Sequence, residues 1–214
     1  MTLAEQNAAL IEKSMGMLSD EVKAVYGENQ KHVEAQEHLK NALGVGDTAP
    51  MFELPDANGD TVSLAEVLKN GPAVVSFYRG SWCPFCNLEL RAMQQELANA
   101  SAANVTLVAI SPNTPDISAD FAKEIEVTFP VLSDVDNVVA KQFNLVFGIS
   151  DGLIELMTEQ GRDLTEMNGS QNWELPIPAT YVIDQSGVIQ FAFVDTNHRA
   201  RAEPSEVVAI AAAL

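Results

Sequence analysis

Ala73-Val-Val-Ser-Phe-Tyr-Arg-Gly-Ser-Trp-Cys-Pro-Phe-Cys86 is the stretch that decides the fold. It opens as an apolar run, breaks at Arg79-Gly80-Ser81, and ends on Cys83 and Cys86, the only two cysteines among 214 residues. A short apolar run closed by a glycine turn reads as a buried strand. Pro84 suits the first position of a helix, where its missing N–H would go unpaired anyway. Phe85, Leu88, Ala92, Met93 and Leu97 then recur as an inner helical face. The dithiol is therefore expected at a helix N-terminus. There the unpaired N–H groups and the positive end of the macrodipole stabilise a thiolate, and Arg79 adds its charge.

A C-x-x-C pair standing alone is a candidate redox site. Cys83 and Cys86 are the expected catalytic pair, with Arg79, Trp82 and Pro84 in support. Trp82 serves either as a substrate-facing platform or as a cover for the core. A structural zinc site needs about four ligands, yet there is no second C-x-x-C, and His32, His38 and His198 lie far off in sequence. Haem attachment needs a histidine where Asn87 stands. No metal and no cofactor are expected.

Outward from the motif, strands and helices alternate. Val105–Ser111 reads as a second strand, Asp116–Glu126 as a helix, Pro130–Leu132 as an edge strand and Val135–Phe143 as a helix. Residues from Leu145 to Glu174 are polar and glycine-containing and match no single pattern. Ala179–Asp184 and Val188–Val194 form a hairpin across Gln185-Ser186-Gly187, and a terminal helix starts near Pro204. Upstream, Met51–Leu54 and Asp60–Ser63 flank a turn at Asn58-Gly59, followed by a short helix over Leu64–Lys69. The order of elements predicts an α/β sandwich with a central mixed sheet flanked by helices. Residues 1–43 form an N-terminal helical extension with a break near Gly27, and residues 44–214 the main domain. The extension suits a layer over a sheet face, with a homodimer contact as the alternative.

Thirty acidic against twelve basic residues leave a formal charge of −18, which repels nucleic-acid phosphates and anionic lipid surfaces. No nucleic acid and no membrane partner is expected. The start, Met1-Thr-Leu-Ala-Glu-Gln-Asn7, lacks a basic region followed by an apolar run, so a cytoplasmic location is the default. A cytosolic C-x-x-C is more often catalytic than structural.

Four separated segments, Gly46-Asp-Thr-Ala-Pro50, Phe77–Leu90, Phe129-Pro-Val-Leu-Ser-Asp134 and Ala179–Asp184, together resemble the peroxiredoxin-like branch of the alkyl hydroperoxide reductase and thiol-specific antioxidant family. The resemblance runs from about Gly44 onward and implies a thioredoxin-like fold. It implies a peroxide substrate and an external thiol donor, thioredoxin-like or glutathione-type. Aligned without a gap on Phe77-Tyr78, the family's P-x-x-x-T-x-x-C-x-x-E places the peroxidatic cysteine on Cys86 and the acid on Glu89. The family's proline becomes Arg79, its threonine Cys83, and its arginine before the later strand Pro178. Those departures resemble thioredoxin and glutaredoxin, whose site includes a cis loop proline, and by that resemblance Pro178 is a site residue.

Three readings follow. A peroxidase would oxidise Cys86 to a sulfenic acid and resolve it with Cys83; a disulfide reductase would attack with Cys83 and resolve with Cys86. Both end in the same Cys83–Cys86 bond. A redox-sensing interaction protein is the third. Trp173, Arg199 and Arg201 are secondary candidates for the cleft, and Glu89 is expected to hydrogen-bond structurally or face solvent.

Overall fold

The computed structural model describes residues 1–100 and 104–214. The chain opens with two helices, α1 (Leu3–Met17) and α2 (Asp20–Glu34). Thr2 and Glu5 form a reciprocal capping box on α1, and the Ser19 hydroxyl accepts from the Val22 N–H to start α2. The break therefore falls at Leu18-Ser19, and the one expected near Gly27 is corrected: Gly27 lies inside α2. A mid-helix glycine costs only about 1 kcal/mol against alanine, whereas Ser19 satisfies one of the four orphan donors that open a new helix.

A 3₁₀ turn at Glu37–Asn41 leads to a small hairpin, β1 (Glu53–Pro55) and β2 (Thr61–Ser63), and to α3 (Leu64–Lys69). The motif strand β3 (Ala73–Phe77) and its helix α4 (Pro84–Asn99) come next, then β4 (Thr106–Ser111), α5 (Pro115–Glu124) and β5 (Val131–Ser133). The expected single helix after β5 is split. A 3₁₀ turn at Val135–Asn137, with Asp136 and Asn137 left-handed, precedes α6 (Val138–Gln142). The unassigned stretch resolves into β6 (Val146–Gly148), α7 (Asp151–Glu159), α8 (Leu164–Asn168) and β7 (Glu174–Pro176). β8 (Ala179–Ile183), β9 (Ile189–Val194) and α9 (Pro204–Ala212) complete the chain.

The central sheet has five strands in the order β5-β4-β3-β8-β9. β3 runs parallel to β4 and antiparallel to β8, so the sheet is mixed, with β3 at its centre. Strand alternation divides the core in two. Val75 and Phe77 of β3 join Val108 and Ile110 of β4 on the face covered by α3 and α6. Val74 joins Leu107 and Val182 on the opposite face, against Met93 of α4 and Val207, Val208 and Ala211 of α9. Because β3 is buried on both faces, the turn after it is fixed in space.

Phe143 is fully buried, with ring centroids 4.9 Å from Phe77 and 5.2 Å from Tyr181. Phe143→Ala is expected to cost about 3–5 kcal/mol, the range for emptying a buried aromatic site. Urea unfolding followed by circular dichroism should show a lower midpoint with an unchanged slope.

Candidate active site

β3 carries the chain into the site, and the Tyr78 N–H still donates to the Ile110 carbonyl at 2.9 Å. The turn that follows needs Gly80. Its φ is +132°, and a Cβ there would stand 2.7 Å from Trp82 Nε1 and 3.0 Å from Asn113 Oδ1. Asn113 holds the turn from β4's side by accepting from the Ser81 N–H at 2.8 Å, and its own amide donates to Asn168 Oδ1 at 2.9 Å. Cys83 is the N-cap of α4, its N–H donating to the Gly80 carbonyl at 3.1 Å, and Pro84 starts the helix. Cys86 lies in the first turn behind it.

The two sulfurs are 2.7 Å apart, with the Cys86 thiol donating to Cys83. Both residues are buried and free. Burial opposes ionisation of Cys83, but the hydrogen bond from Cys86 and the charges of Arg79 and Arg201 outweigh it and bring the thiol down to about 6. Burial, the donation to Cys83 and the charge on that sulfur push Cys86 well above the usual thiol range. The pair thus shares one proton at neutral pH.

Two arginines supply the counter-charge. Arg79 is buried, lies over the Trp82 ring with its guanidinium carbon 4.8 Å from the centroid, and has no carboxylate partner among the described residues. Arg201 comes from the β9–α9 connection. Its Nη2 donates to Cys86 Sγ at 3.3 Å, its Nε pairs with Glu89 Oε2 at 2.6 Å, and its Nη1 donates to the carbonyls of His198 and Ala200. Glu89 Oε1 accepts in turn from Thr180 on β8 at 2.8 Å. Burial alone would lower the Arg201 pKa, but Glu89 and the two sulfurs raise it, so the guanidinium stays charged. Glu89 is therefore a buried anchor rather than a solvent-facing residue, and the inner stripe of α4 runs through Phe85, Cys86, Glu89, Leu90 and Met93, with Leu88 and Ala92 half-buried.

The other expected residues divide. Trp82 and Pro84 line a cavity of about 340 Å³ above the dithiol, together with Arg79, Cys83, Phe85, His198 and Arg199. Cys86 does not line it. Pro178 is buried just before β8, and the register Phe77↔Ala179 sets it opposite Tyr78. Its peptide bond is trans, which corrects the cis loop expected from thioredoxin. Trp173 is partly buried in the cluster of Leu175 and Ile177 and does not line the cavity. His198, far from the dithiol in sequence, has its ring centroid 6.0 Å from Phe85 at the cavity wall. Burial and the charges of Arg79, Arg199 and Arg201 keep it neutral by lowering its pKa well below the usual imidazole value. Among the described residues no cluster of three metal-ligating side chains occurs, and no helix is long and apolar enough to cross a membrane.

A dithiol at a helix start, sharing one proton and held by buried cations on a central mixed sheet, defines a thiol redox enzyme of thioredoxin-like fold. The sequence profile of the AhpC/TSA family matches residues 45–192, and the chain belongs to that family. A putative peroxiredoxin of Mycobacterium tuberculosis is 30% identical over 162 residues, covering 74% of this chain and 92% of its own. Escherichia coli peroxiredoxin Bcp is 31% identical over 105 residues, covering 49% of this chain and 67% of its own. The crystal structure of peroxidoxin BcpB from Mycobacterium tuberculosis shares the fold, with TM-score 0.62 at 24% identity over 80% of this chain and 98% of that one. The protein is accordingly a thiol-dependent oxidoreductase with a peroxiredoxin-like antioxidant function.

Ultraviolet thiolate absorbance of the reduced protein should show one thiolate per chain forming with a midpoint near 6. Because a cation favours the charged form, Arg79→Gln should move that midpoint upward. A midpoint in the variant equal to or below the wild-type value would remove Arg79 from the electrostatics of the site.

Proposed function

We propose that the protein reduces peroxides with Cys83 as the attacking sulfur and Cys86 as the resolving one, which reverses the roles given by the ungapped alignment. The observation that carries this is access: the cavity is walled by Cys83 and not by Cys86. The lowered pKa of Cys83 supports it.

In the first step the Cys83 thiolate attacks the distal peroxide oxygen. An S–O bond forms as the O–O bond breaks, sulfur is oxidised by two electrons, and the leaving alkoxide takes the Cys86 proton. Cys83 becomes a neutral sulfenic acid and Cys86 a thiolate. Loss of the charge on Cys83 removes the repulsion that, with burial, held Cys86 protonated, and Arg201, 3.3 Å away, stabilises the new thiolate. Cys86 then attacks Cys83, forming the disulfide as the S–O bond breaks, and the expelled hydroxide takes a proton from solvent and leaves as water. An external thiol, thioredoxin-like or glutathione-type, attacks Cys83 to form a mixed disulfide, with Cys86 leaving beside Arg201, and a second donor thiol attacks the donor sulfur of that mixed disulfide, releasing Cys83 and the oxidised donor. Pre-set charge at the leaving sulfur makes this route favourable in both directions of the cycle.

The second reading keeps Cys86 as the attacker, and the Arg201 contact on Cys86 favours it. Trp82, Pro84 and Pro178 support the site by shape in either case, and we treat residues 1–43 as an extension of the redoxin domain spanning 44–214.

Stopped-flow oxidation of the two single variants by hydrogen peroxide separates the readings. Cys83→Ser should lose the fast phase by about a hundredfold or more, as removal of a nucleophile does, while Cys86→Ser should react and accumulate a dimedone-trappable sulfenic acid on Cys83. Sulfenic acid formed rapidly on Cys86 in the Cys83→Ser protein would instead establish the reverse order.

A further inference from the structure

A second cavity, of about 360 Å³, lies between the N-terminal helices and the β9–α9 connection. Met15 of α1, one face of α2 and the segment Asn197-His198-Arg199 wall it. All of these residues fall outside the family-matched span 45–192, so the family profile does not account for the space. It adjoins the cavity over Cys83, whose wall also takes in Leu18 and Tyr26, but neither cysteine lines it. On α2, Lys23, Gly27, Gln30 and Glu34 follow at steps of four, three and four residues, which sets them in one stripe along the helix. Gly27 interrupts that stripe. A Cβ there would meet nothing within 4 Å, so no packing contact of this chain requires a glycine, although glycine weakens the helix relative to alanine. What Gly27 supplies is open space in the cavity wall between Lys23 and Glu34.

The stripe ends in opposite charges. From Lys23 to Glu34 the helix rises about 16 Å, at about 1.5 Å per residue. Arg199 joins the cationic end, because its Nη2 reaches the Met15 sulfur at 3.8 Å and Met15 stands in the last turn of α1, next to the start of α2. Arg199 Nε is buried without a hydrogen-bond partner among the described residues. Lys23 pairs with Asp20 at 3.2 Å, but that carboxylate side chain is 99% exposed and the pair is screened by solvent. At the other end Glu34 accepts from Gln30 at 2.9 Å and pairs with no cation among the described residues. The macrodipole of α2 has the same sense, positive toward Lys23 and negative toward Glu34.

We propose that this cavity binds a short zwitterionic peptide of about three residues laid along α2, with its carboxylate at Lys23 and Arg199 and its ammonium at Glu34. An extended tripeptide spans about 10 Å, and the side chains at the two ends reach inward over the remaining distance. Planar guanidinium matches the geometry of a carboxylate. Gln30 and Asn197 offer side-chain amides to the peptide groups between the termini, and Gly27 leaves room for them. The volume falls in the range of pockets that enclose a small organic ligand. A single amino acid holds its two charges too close together to reach both ends, and a dicarboxylate or a diamine would set a like charge against one of them. The site stands apart from the peroxide chemistry, and binding rather than turnover reads it.

The test is isothermal titration calorimetry of the reduced full-length protein at low ionic strength with triglycine, N-acetyl-triglycine and triglycine amide. Triglycine should bind saturably at one site per chain, and blocking either terminus should weaken binding by about tenfold, the size of a lost hydrogen bond to a charged group. Glu34→Gln should shrink the preference for triglycine over its N-acetyl form by about threefold or more while keeping the preference over the amide. Arg199→Gln should do the converse. Gly27→Leu should raise the thermal unfolding midpoint, since leucine is the better helix former, and abolish binding by filling the cavity. Glu34 is exposed, so its variant reports on binding without a folding penalty, and thermal unfolding verifies this. Absence of saturable triglycine binding at millimolar concentration would overturn the proposal. Equal affinities for the three peptides would also overturn it, as would undiminished binding to a folded Gly27→Leu protein or preferences left unchanged in the Glu34→Gln and Arg199→Gln proteins.

Discussion

A thiolate buried away from water survives only beside fixed positive charge, and the site is arranged around that constraint. Arg201 meets it most rigidly. Its guanidinium is clamped by Glu89, by two backbone carbonyls and through Glu89 by Thr180, so that one nitrogen is left to face Cys86. Three elements meet in this clamp: α4 supplies Glu89 and Cys86, β8 supplies Thr180, and the segment before α9 supplies Arg201. Burying an ion pair is an inefficient way to gain stability, because desolvation consumes most of the Coulomb attraction. Its value here is positional, since it fixes a charge against the Cys86 sulfur.

The clamp also accounts for the chain's departures from the pattern its family resemblance implies. The arginine expected just before β8 is replaced by Pro178, which supplies no charge. Arg201 brings a guanidinium to the dithiol from 115 positions beyond Cys86 along the chain. The threonine expected three residues before Cys86 is Cys83, which occupies the helix N-cap and accepts from Cys86 at 2.7 Å. A second thiol thus stands where the family's hydrogen-bonding threonine is expected, and the buried acid Glu89 anchors Arg201.

Local signals in the sequence were enough for the centre of the fold. The apolar run Ala73–Phe77, Pro84 at a helix start and the hairpin turn at Gly187 each impose their conformation within a few residues, and each lies where the pattern placed it. What escaped was set by distance. Nothing local distinguishes Arg201 from an exposed arginine, and Glu89 looks like any charged helical residue until its partner is known. The i, i+3 step from Cys86 to Glu89 was the one available hint that the acid lies on the sulfur's side of the helix. The segment from 145 to 174 escaped because its helices are short and its strands β6 and β7 pair only with each other, so periodicity had too few turns to register. Gly27 weakens a helix without ending it, whereas the Ser19 cap starts one, so the break lies at Ser19.

The N-terminal helices turn this buried dithiol into an enclosed one. α1 is tied to the segment carrying Arg201, since Glu203 accepts from the Ala4 N–H at 2.8 Å and Asn7 donates to the Arg199 carbonyl at 3.3 Å. The elements that wall the cavity and the element that holds the charge are therefore one connected structure. The central claim is that Cys83 and Cys86 act as a single two-electron unit within it. It is tested most directly by titrating the reduced protein with substoichiometric to equimolar hydrogen peroxide and counting free thiols under denaturing conditions. The account predicts that one equivalent of peroxide removes both thiols of each chain as an intramolecular disulfide and that dithiothreitol restores both. Loss of a single thiol per equivalent, or oxidation that dithiothreitol does not reverse, would contradict it.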